Sequence, residues 1–216
     1  LPLLALTGND PLARGREQPE ARLRPLLVDL ADQSSVRRGA AEAATYGPLH
    51  LLVNNAGVMA TPYVRTTDHF ELQMATNVLG HFTLTGLLWP RLVESGGARV
   101  VSVSSQGHRM ARSAPLGDPR VQEGPYRRWP TYARTKLANL LFTFELQRRL
   151  RASGSGVRAV AVHPGMVRTN LFGHRRVMGA TLGFIGRFVM QDPAQGARTT
   201  LFAATQDIPG GSFVEP

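Results

Sequence analysis

Leu49-His50-Leu51-Leu52-Val53-Asn54-Asn55-Ala56-Gly57 decides the fold. Its first half is an apolar run of strand length, and its second half is a turn of small and polar residues. A strand covered on both faces reads as a near-continuous apolar run, the signature of a parallel sheet. Similar runs occupy residues 3–7, 26–29, 98–104 and 157–163, rich in Val and Leu and mostly bounded by Gly, Pro or Asp. Ser212-Phe213-Val214 reads as a last strand. Helical periodicity predicts helices over 35–46, 67–92 and 132–152 between them. This alternation predicts an α/β fold: a Rossmann-like, doubly wound parallel sheet in three layers. In such sheets ligands bind beyond the carboxyl ends of the strands. The residues after each strand are therefore the ones to read for chemistry.

Composition narrows the function classes. A chain of 216 residues builds one substantial core, so residues 1–216 read as a single domain. With 43% hydrophobic and 19% charged residues it belongs among ordinary globular proteins. It has no cysteine, which excludes disulfides and thiolate chemistry, and its six histidines show no metal-ligating spacing. The net charge of +10 comes from arginines scattered along the chain, without a basic block or a helix-turn-helix pattern. Nucleic acid is not an expected partner; attraction for an anionic cofactor is. Leu1-Pro2-Leu3-Leu4-Ala5-Leu6 is apolar but too short for a membrane span and lacks a basic flank. It reads as a buried strand of a cytoplasmic protein.

The single lysine, Lys136, stands four residues after Tyr132 in Tyr132-Ala133-Arg134-Thr135-Lys136. On a helix these two share one face. A compact ammonium can bind sugar hydroxyls and lower a neighbouring phenol's pKa, tasks for which a guanidinium is poorly shaped. Four strand-end features accompany this pair. Asp29-Leu30 offers a carboxylate either to an adenine amine or as a helix cap. Asn54-Asn55-Ala56-Gly57 lets a ribose approach the backbone closely. Ser102-Val103-Ser104-Ser105 ends one strand, and another runs into His163-Pro164-Gly165-Met166-Val167-Arg168-Thr169. Within the long helix, Asn77 competes for backbone hydrogen bonds and predicts a local distortion that frees a carbonyl to hold water.

This ordered set resembles the short-chain dehydrogenase/reductase family, in the branch with retinol dehydrogenases and the WW-domain oxidoreductase. The resemblance runs from Pro25 to the end, with Val78 where the branch usually has His. It implies an NAD(P)-dependent oxidoreductase that moves a hydride between nicotinamide and an alcohol, aldehyde or ketone. The implied catalytic residues are Ser105, which orients the carbonyl; Tyr132, the general acid/base; Lys136, which lowers the Tyr132 pKa and holds ribose; and Asn77, which supports the relay water. The implied cofactor contacts are Thr7, Gly8, Asp29, Leu30, Asn55, Ala56, Gly57, Tyr132, Lys136, Pro164, Gly165, Val167 and Thr169, and no metal is expected. The branch leans towards NADP over NAD, and a homodimer or homotetramer is the expected assembly.

The sequence departs from the family near its start. The family has TGxxxGIG between two strands, whose glycines let backbone approach a pyrophosphate. Here Thr7-Gly8 is followed by Asn9-Asp10-Pro11-Leu12-Ala13-Arg14-Gly15, and residues 9–23 resemble a later helix of the family. The first βαβ unit reads as incomplete. That gap motivates a second reading, a catalytically silent scaffold that binds a partner, against which the full Ser105, Tyr132 and Lys136 set argues. Two segments carry the substrate expectation: the loop over 107–130, and the apolar stripe over 171–191 with Phe172, Leu182, Phe184, Ile185, Phe188 and Val189. As a lid, the stripe implies an apolar substrate; as a core-packed helix it implies nothing about one.

Overall fold

The structure, a computed structural model, describes residues 3–6, 23–114, 117–120, 124–165 and 193–216. At its centre Leu51–Asn54 (β3), Arg99–Val103 (β4), Arg158–Val162 (β5) and Phe213–Val214 (β6) form a parallel sheet in that order. The Val-rich strands β4 and β5 favour extended backbone because branched side chains fit a pleated surface. Alternate residues point to opposite faces. Val100 and Ala159 join one core, while Val101, Val103, Val160 and Val162 join a second. Both faces are covered, which is why these strands read as unbroken apolar runs.

Leu3–Leu6 (β1) pairs in parallel with Leu23–Leu26 (β2) as a separate two-stranded ladder. The strand expected over 26–29 is thus displaced towards the N-terminus. Pro25 sits within β2 because an edge position tolerates a residue without N–H. Beyond β2 the chain runs irregularly, with Leu27 exposed and Val28 and Leu30 turned into the first core.

The helix predicted over 35–46 is Gln33–Ala44 (α1), capped by Asp32, whose carboxylate accepts from Ser34 N at 2.8 Å and Ser35 N at 3.3 Å. The helix expected over 67–92 starts later and is broken twice. Residues 67–71 form a turn with His69 at φ 65°, and Glu71 caps Leu72–Met74 (α2) by accepting from Met74 N at 2.8 Å. A π-turn over Ala75–Leu79 follows, then Gly80–Leu87 (α3), a break at Leu88, and Trp89–Glu94 (α4). Pro90 in the first turn of α4 fits that break, since it lacks an N–H. Arg128–Ala152 (α5) begins four residues before its predicted start. It ends where Gly154 takes φ 65° and Ser155 N reaches the Leu150 carbonyl at 3.0 Å, a Schellman closure. Pro193–Thr205 (α6) completes the described helices.

Val36 and Ala40 of α1, Leu84 of α3, Leu92 of α4 and Leu150 of α5 share the first core, and Ala203 of α6 the second. Helices therefore lie on both faces of the sheet, giving the three-layer α/β arrangement. Gly80 brings α3 close to the irregular stretch after β2: a Cβ there would run into the Leu30 carbonyl. The carboxyl ends of β3, β4 and β5 open towards the first turns of α5 and the π-turn.

Candidate active site

Tyr132 and Lys136 project from one face of α5 and are both buried, with the Lys136 Nζ 5.7 Å from the phenol ring centroid. Three hydrogen bonds stitch this helix to the end of β4. Lys136 Nζ donates to the Val103 carbonyl at 3.0 Å, Asn139 Nδ2 donates to the same oxygen at 3.2 Å, and Ser104 Oγ donates to the Lys136 carbonyl at 2.8 Å. Ser104 is thereby committed to structure. The next residue, Ser105, is half-buried and its hydroxyl stands near enough to the Tyr132 phenol to lower its pKa. Ser105 Oγ also accepts from Gly107 N at 3.1 Å, opening a short 3-10 helix over Gln106–Met110 inside the segment expected to be loop. His108 Nδ1 lies 2.6 Å from the Ser105 carbonyl, and since a carbonyl only accepts, Nδ1 carries the proton.

The electrostatics depart from expectation at the phenol. Burial raises the Tyr132 pKa, and the Ser105 hydroxyl offsets only part of that rise. Burial also pushes Lys136 down to about 8. The lowering of Tyr132 by Lys136 is thus not a property of the protein by itself. A dry pocket disfavours phenolate, and the ammonium sits over the ring face rather than on the hydroxyl.

Asn77 lies in the π-turn, where the sequence predicted a distortion. Its amide is fully buried and clamps two segments. Oδ1 accepts from Val58 N at 2.8 Å, while Nδ2 donates to the Val58 carbonyl at 2.9 Å and to Thr135 Oγ1 at 3.1 Å. The chain beyond β3 is thereby tied to α5 one residue before Lys136. The Asn77 main-chain carbonyl faces His81 Nδ1 at 3.1 Å.

Gly57 closes this cluster. A Cβ there would stand 2.9 Å from Asn77 Oδ1 and 3.7 Å from Lys136 Nζ, so only glycine keeps the approach open. Asn55 and Ala56 are exposed beside it, and Asn54 is buried with Nδ2 donating to Thr85 Oγ1 at 3.0 Å. Pro164 and Gly165 follow β5, with Gly165 at φ 80°. Asp29 and Leu30 stand apart on the irregular stretch that follows β2. Asp29 is not the cap of α1; its Oδ1 accepts from Ala31 N at 2.9 Å. Thr7, Gly8, Val167, Thr169 and the stripe over 171–191 lie outside the described residues.

Sequence reading missed Gly107, which packs on the Tyr132 ring, and Thr135 and Asn139, which fasten α5. A signal existed for the last two: Thr135, Asn139, Thr143 and Gln147 recur every four residues and form a buried polar stripe. Among the described residues no cluster of His, Asp or Glu is set to hold a metal, and no helix is long and apolar enough to cross a membrane.

His81 makes folding pH-dependent. Burial lowers its pKa to about 4, with the Asn77 carbonyl opposing and Lys136 assisting. Below its ordinary value near 6.5 the unfolded chain takes up a proton that the folded chain refuses until about 4. Stability is therefore lost as pH falls through that window. Between pH 7 and 5 the loss is about 2 kcal/mol. Denaturant titrations of wild type and His81→Gln at both pH values check this, since the variant should lose that part of the slope.

The profile of the short chain dehydrogenase family matches residues 5–115, about half of the chain. The chain belongs to that family. It is 43% identical over 179 residues to human retinol dehydrogenase 11, covering 82% of this chain and 54% of that protein. It is 42% identical over 185 residues to mouse polyprenol dehydrogenase, covering 83% and 55%. The chain thus spans about half the length of these curated relatives. Among solved structures, an uncharacterized protein from Mycobacterium paratuberculosis superposes with TM-score 0.77 at 42% identity, covering 99% of this chain and 70% of that one. A blue fluorescent protein from a metagenomic library, in complex with NADPH, gives TM-score 0.68 at 25% identity, covering 94% and 77%.

Proposed function

We propose that this protein is a nicotinamide-dependent oxidoreductase acting on an apolar alcohol or the matching aldehyde or ketone. The observation that carries the reading is the convergence of Ser105, Tyr132, Lys136 and Asn77 at the carboxyl end of the sheet. They come from the end of β4, from α5 and from the π-turn, and Ser105, Lys136 and Asn77 are each held by hydrogen bonds to their neighbours.

The donor set fits the nicotinamide end of a dinucleotide. Lys136 spends one N–H on Val103 and keeps two for a ribose diol, and Gly57 leaves room beside it. Asn55, Pro164 and Gly165 border the same edge, and Asp29 offers its second oxygen to an adenine amine. Such a cofactor, once bound, supplies the hydride. This chain's residues handle the proton. Ser105 Oγ steadies the carbonyl oxygen, and Tyr132 gives its proton to that oxygen in reduction and takes it back in oxidation. With the positive nicotinamide bound beside it, the Lys136 charge would help stabilise the phenolate, and Asn77 keeps the pocket wall in place and offers its carbonyl to a relay water.

The substrate class and cofactor rest on relatives. Two of them are named for retinol and for polyprenol, both long apolar alcohols, and one neighbour binds NADPH. We assign NADP ahead of NAD on the same footing, and carry a cytoplasmic location and a homodimer or homotetramer over from the sequence reading. The deciding experiment follows NADPH and NADH oxidation by the purified protein with a short and a long-chain aldehyde. Turnover that favours NADPH and the long aldehyde is expected. Absence of turnover with either cofactor would sink the reading.

A further inference from the structure

Gln73 and Asn77 stand four residues apart, and both side chains are fully buried. Asn77 holds Val58 and Thr135. Gln73 holds other groups: its Oε1 accepts from Ala60 N at 2.8 Å, and its Nε2 donates to the Tyr126 hydroxyl at 2.8 Å and the Arg128 carbonyl at 3.1 Å. Tyr126 is a second hub. Its oxygen lies 3.0 Å from the Thr61 carbonyl and 3.0 Å from Glu71 Oε1, and its ring meets that of Tyr63 at 5.2 Å. One phenolic proton serves those two acceptors in turn. Burial, and then the Glu71 charge, raise the phenol's pKa and keep it a neutral donor. The strained backbone is local too, with Ala60 at φ 51° pinned through its amide to Gln73.

What this hub holds borders the site. The chain leaves the pocket at Ser105 and returns to it at Trp129, whose ring meets that of Tyr132 edge-on at 6.5 Å. Large apolar side chains stand exposed on this stretch (Met110 and Trp129) and on the chain after β3 that meets it through Tyr126 (Tyr63 and Val64). An exposed apolar rim beside a reactive pocket is where an apolar tail finds contact.

We infer that Gln73 and Tyr126 are positioning residues that fix the returning end of the segment after Ser105, and so set preference for a long apolar substrate. This rests on the activity proposed above. Neither side chain reaches the Ser105–Tyr132 pair; both act through Ala60, Thr61 and Arg128.

Tyr126→Phe tests it, since the ring stays and the hydroxyl goes. Hydrogen exchange should quicken roughly tenfold in amides of 105–128 while β3, β4 and β5 keep their protection. Unchanged exchange in that segment overturns the inference. In kinetics, KM for a long-chain aldehyde should rise roughly tenfold, with kcat and the short-aldehyde kcat/KM preserved. An equal fall in kcat for both substrates, with KM untouched, overturns it as well. Glu71→Gln, which keeps an acceptor oxygen for Tyr126, should show smaller changes in the same segment and serves if Tyr126→Phe folds poorly. If wild type turns over no aldehyde, the proposed activity fails, while hydrogen exchange still decides the hub.

Discussion

Tyr132→Phe is expected to lower aldehyde reduction by ~10²–10⁴-fold while leaving the protein folded. The expectation comes from what the hydroxyl does and what the ring does. The ring packs against Gly107 and meets Trp129 edge-on, and phenylalanine keeps both contacts. The hydroxyl faces Ser105 and is the group placed to carry the proton. Its loss leaves Ser105 with the Gly107 amide as a partner, so the fold gives up little. Burial raises the Tyr132 pKa, which favours the protonated phenol and therefore the reductive direction at neutral pH. Alcohol oxidation needs the phenolate and should climb with pH until the phenol has titrated. Initial rates of wild type and variant, with a melting curve for each, test this. Comparable rates would remove Tyr132 from the mechanism.

Lys136→Met is expected to abolish turnover and at the same time to stabilise the fold by ~1–3 kcal/mol at neutral pH. The ammonium is buried with no carboxylate among its hydrogen-bond partners, and burial holds its pKa at about 8 against an ordinary value of 10.5. Between those two values the unfolded chain keeps a proton that the folded chain has released, so wild-type stability rises with pH across that window. Below about 8 the folded state carries the charge at a cost of about 3 kcal/mol. Methionine fills similar volume without charge. The Val103 carbonyl keeps Asn139 as donor, and Ser104 bonds the main chain of residue 136 whatever its side chain. Denaturant unfolding from neutral to alkaline pH reads the effect: the variant should begin higher and show no such rise. Lys136→Arg should instead destabilise, because a guanidinium is larger and cannot shed its proton there. A variant less stable than wild type at neutral pH would show that the ammonium is better solvated than its burial implies.

The sheet was legible in the sequence because its central strands are covered on both faces, and burial on both faces writes itself as an unbroken apolar run. Val100-Val101 and Ala159-Val160 needed no tertiary information to be read as strand. The pairing of Tyr132 with Lys136 was equally local, since the helical repeat places them together. A local distortion at Asn77 was foreseen because an asparagine inside a helix competes for backbone hydrogen bonds; that it is a π-turn was decided by the fold.

Other features depended on partners remote in the chain. That Ser105, and not Ser104, faces Tyr132 was expected by resemblance alone; the fold gives the physical reason, because Ser104 is taken by a carbonyl 32 residues away. The turn before Leu72 and the strand through Pro25 follow from packing and edge position, which periodicity does not encode. The rise of the Tyr132 pKa in the chain by itself was not legible for the same reason: a neighbouring charge is visible in a spacing, whereas desolvation belongs to the assembled pocket. The hub at Gln73 and Tyr126 joins residues 53 positions apart. Sequence by itself determined which side chains were available for chemistry and on which elements they lie. Only the tertiary structure decided which of them meet, because hydrogen-bond partners across a sheet edge are set by the closure of the chain and not by its local order.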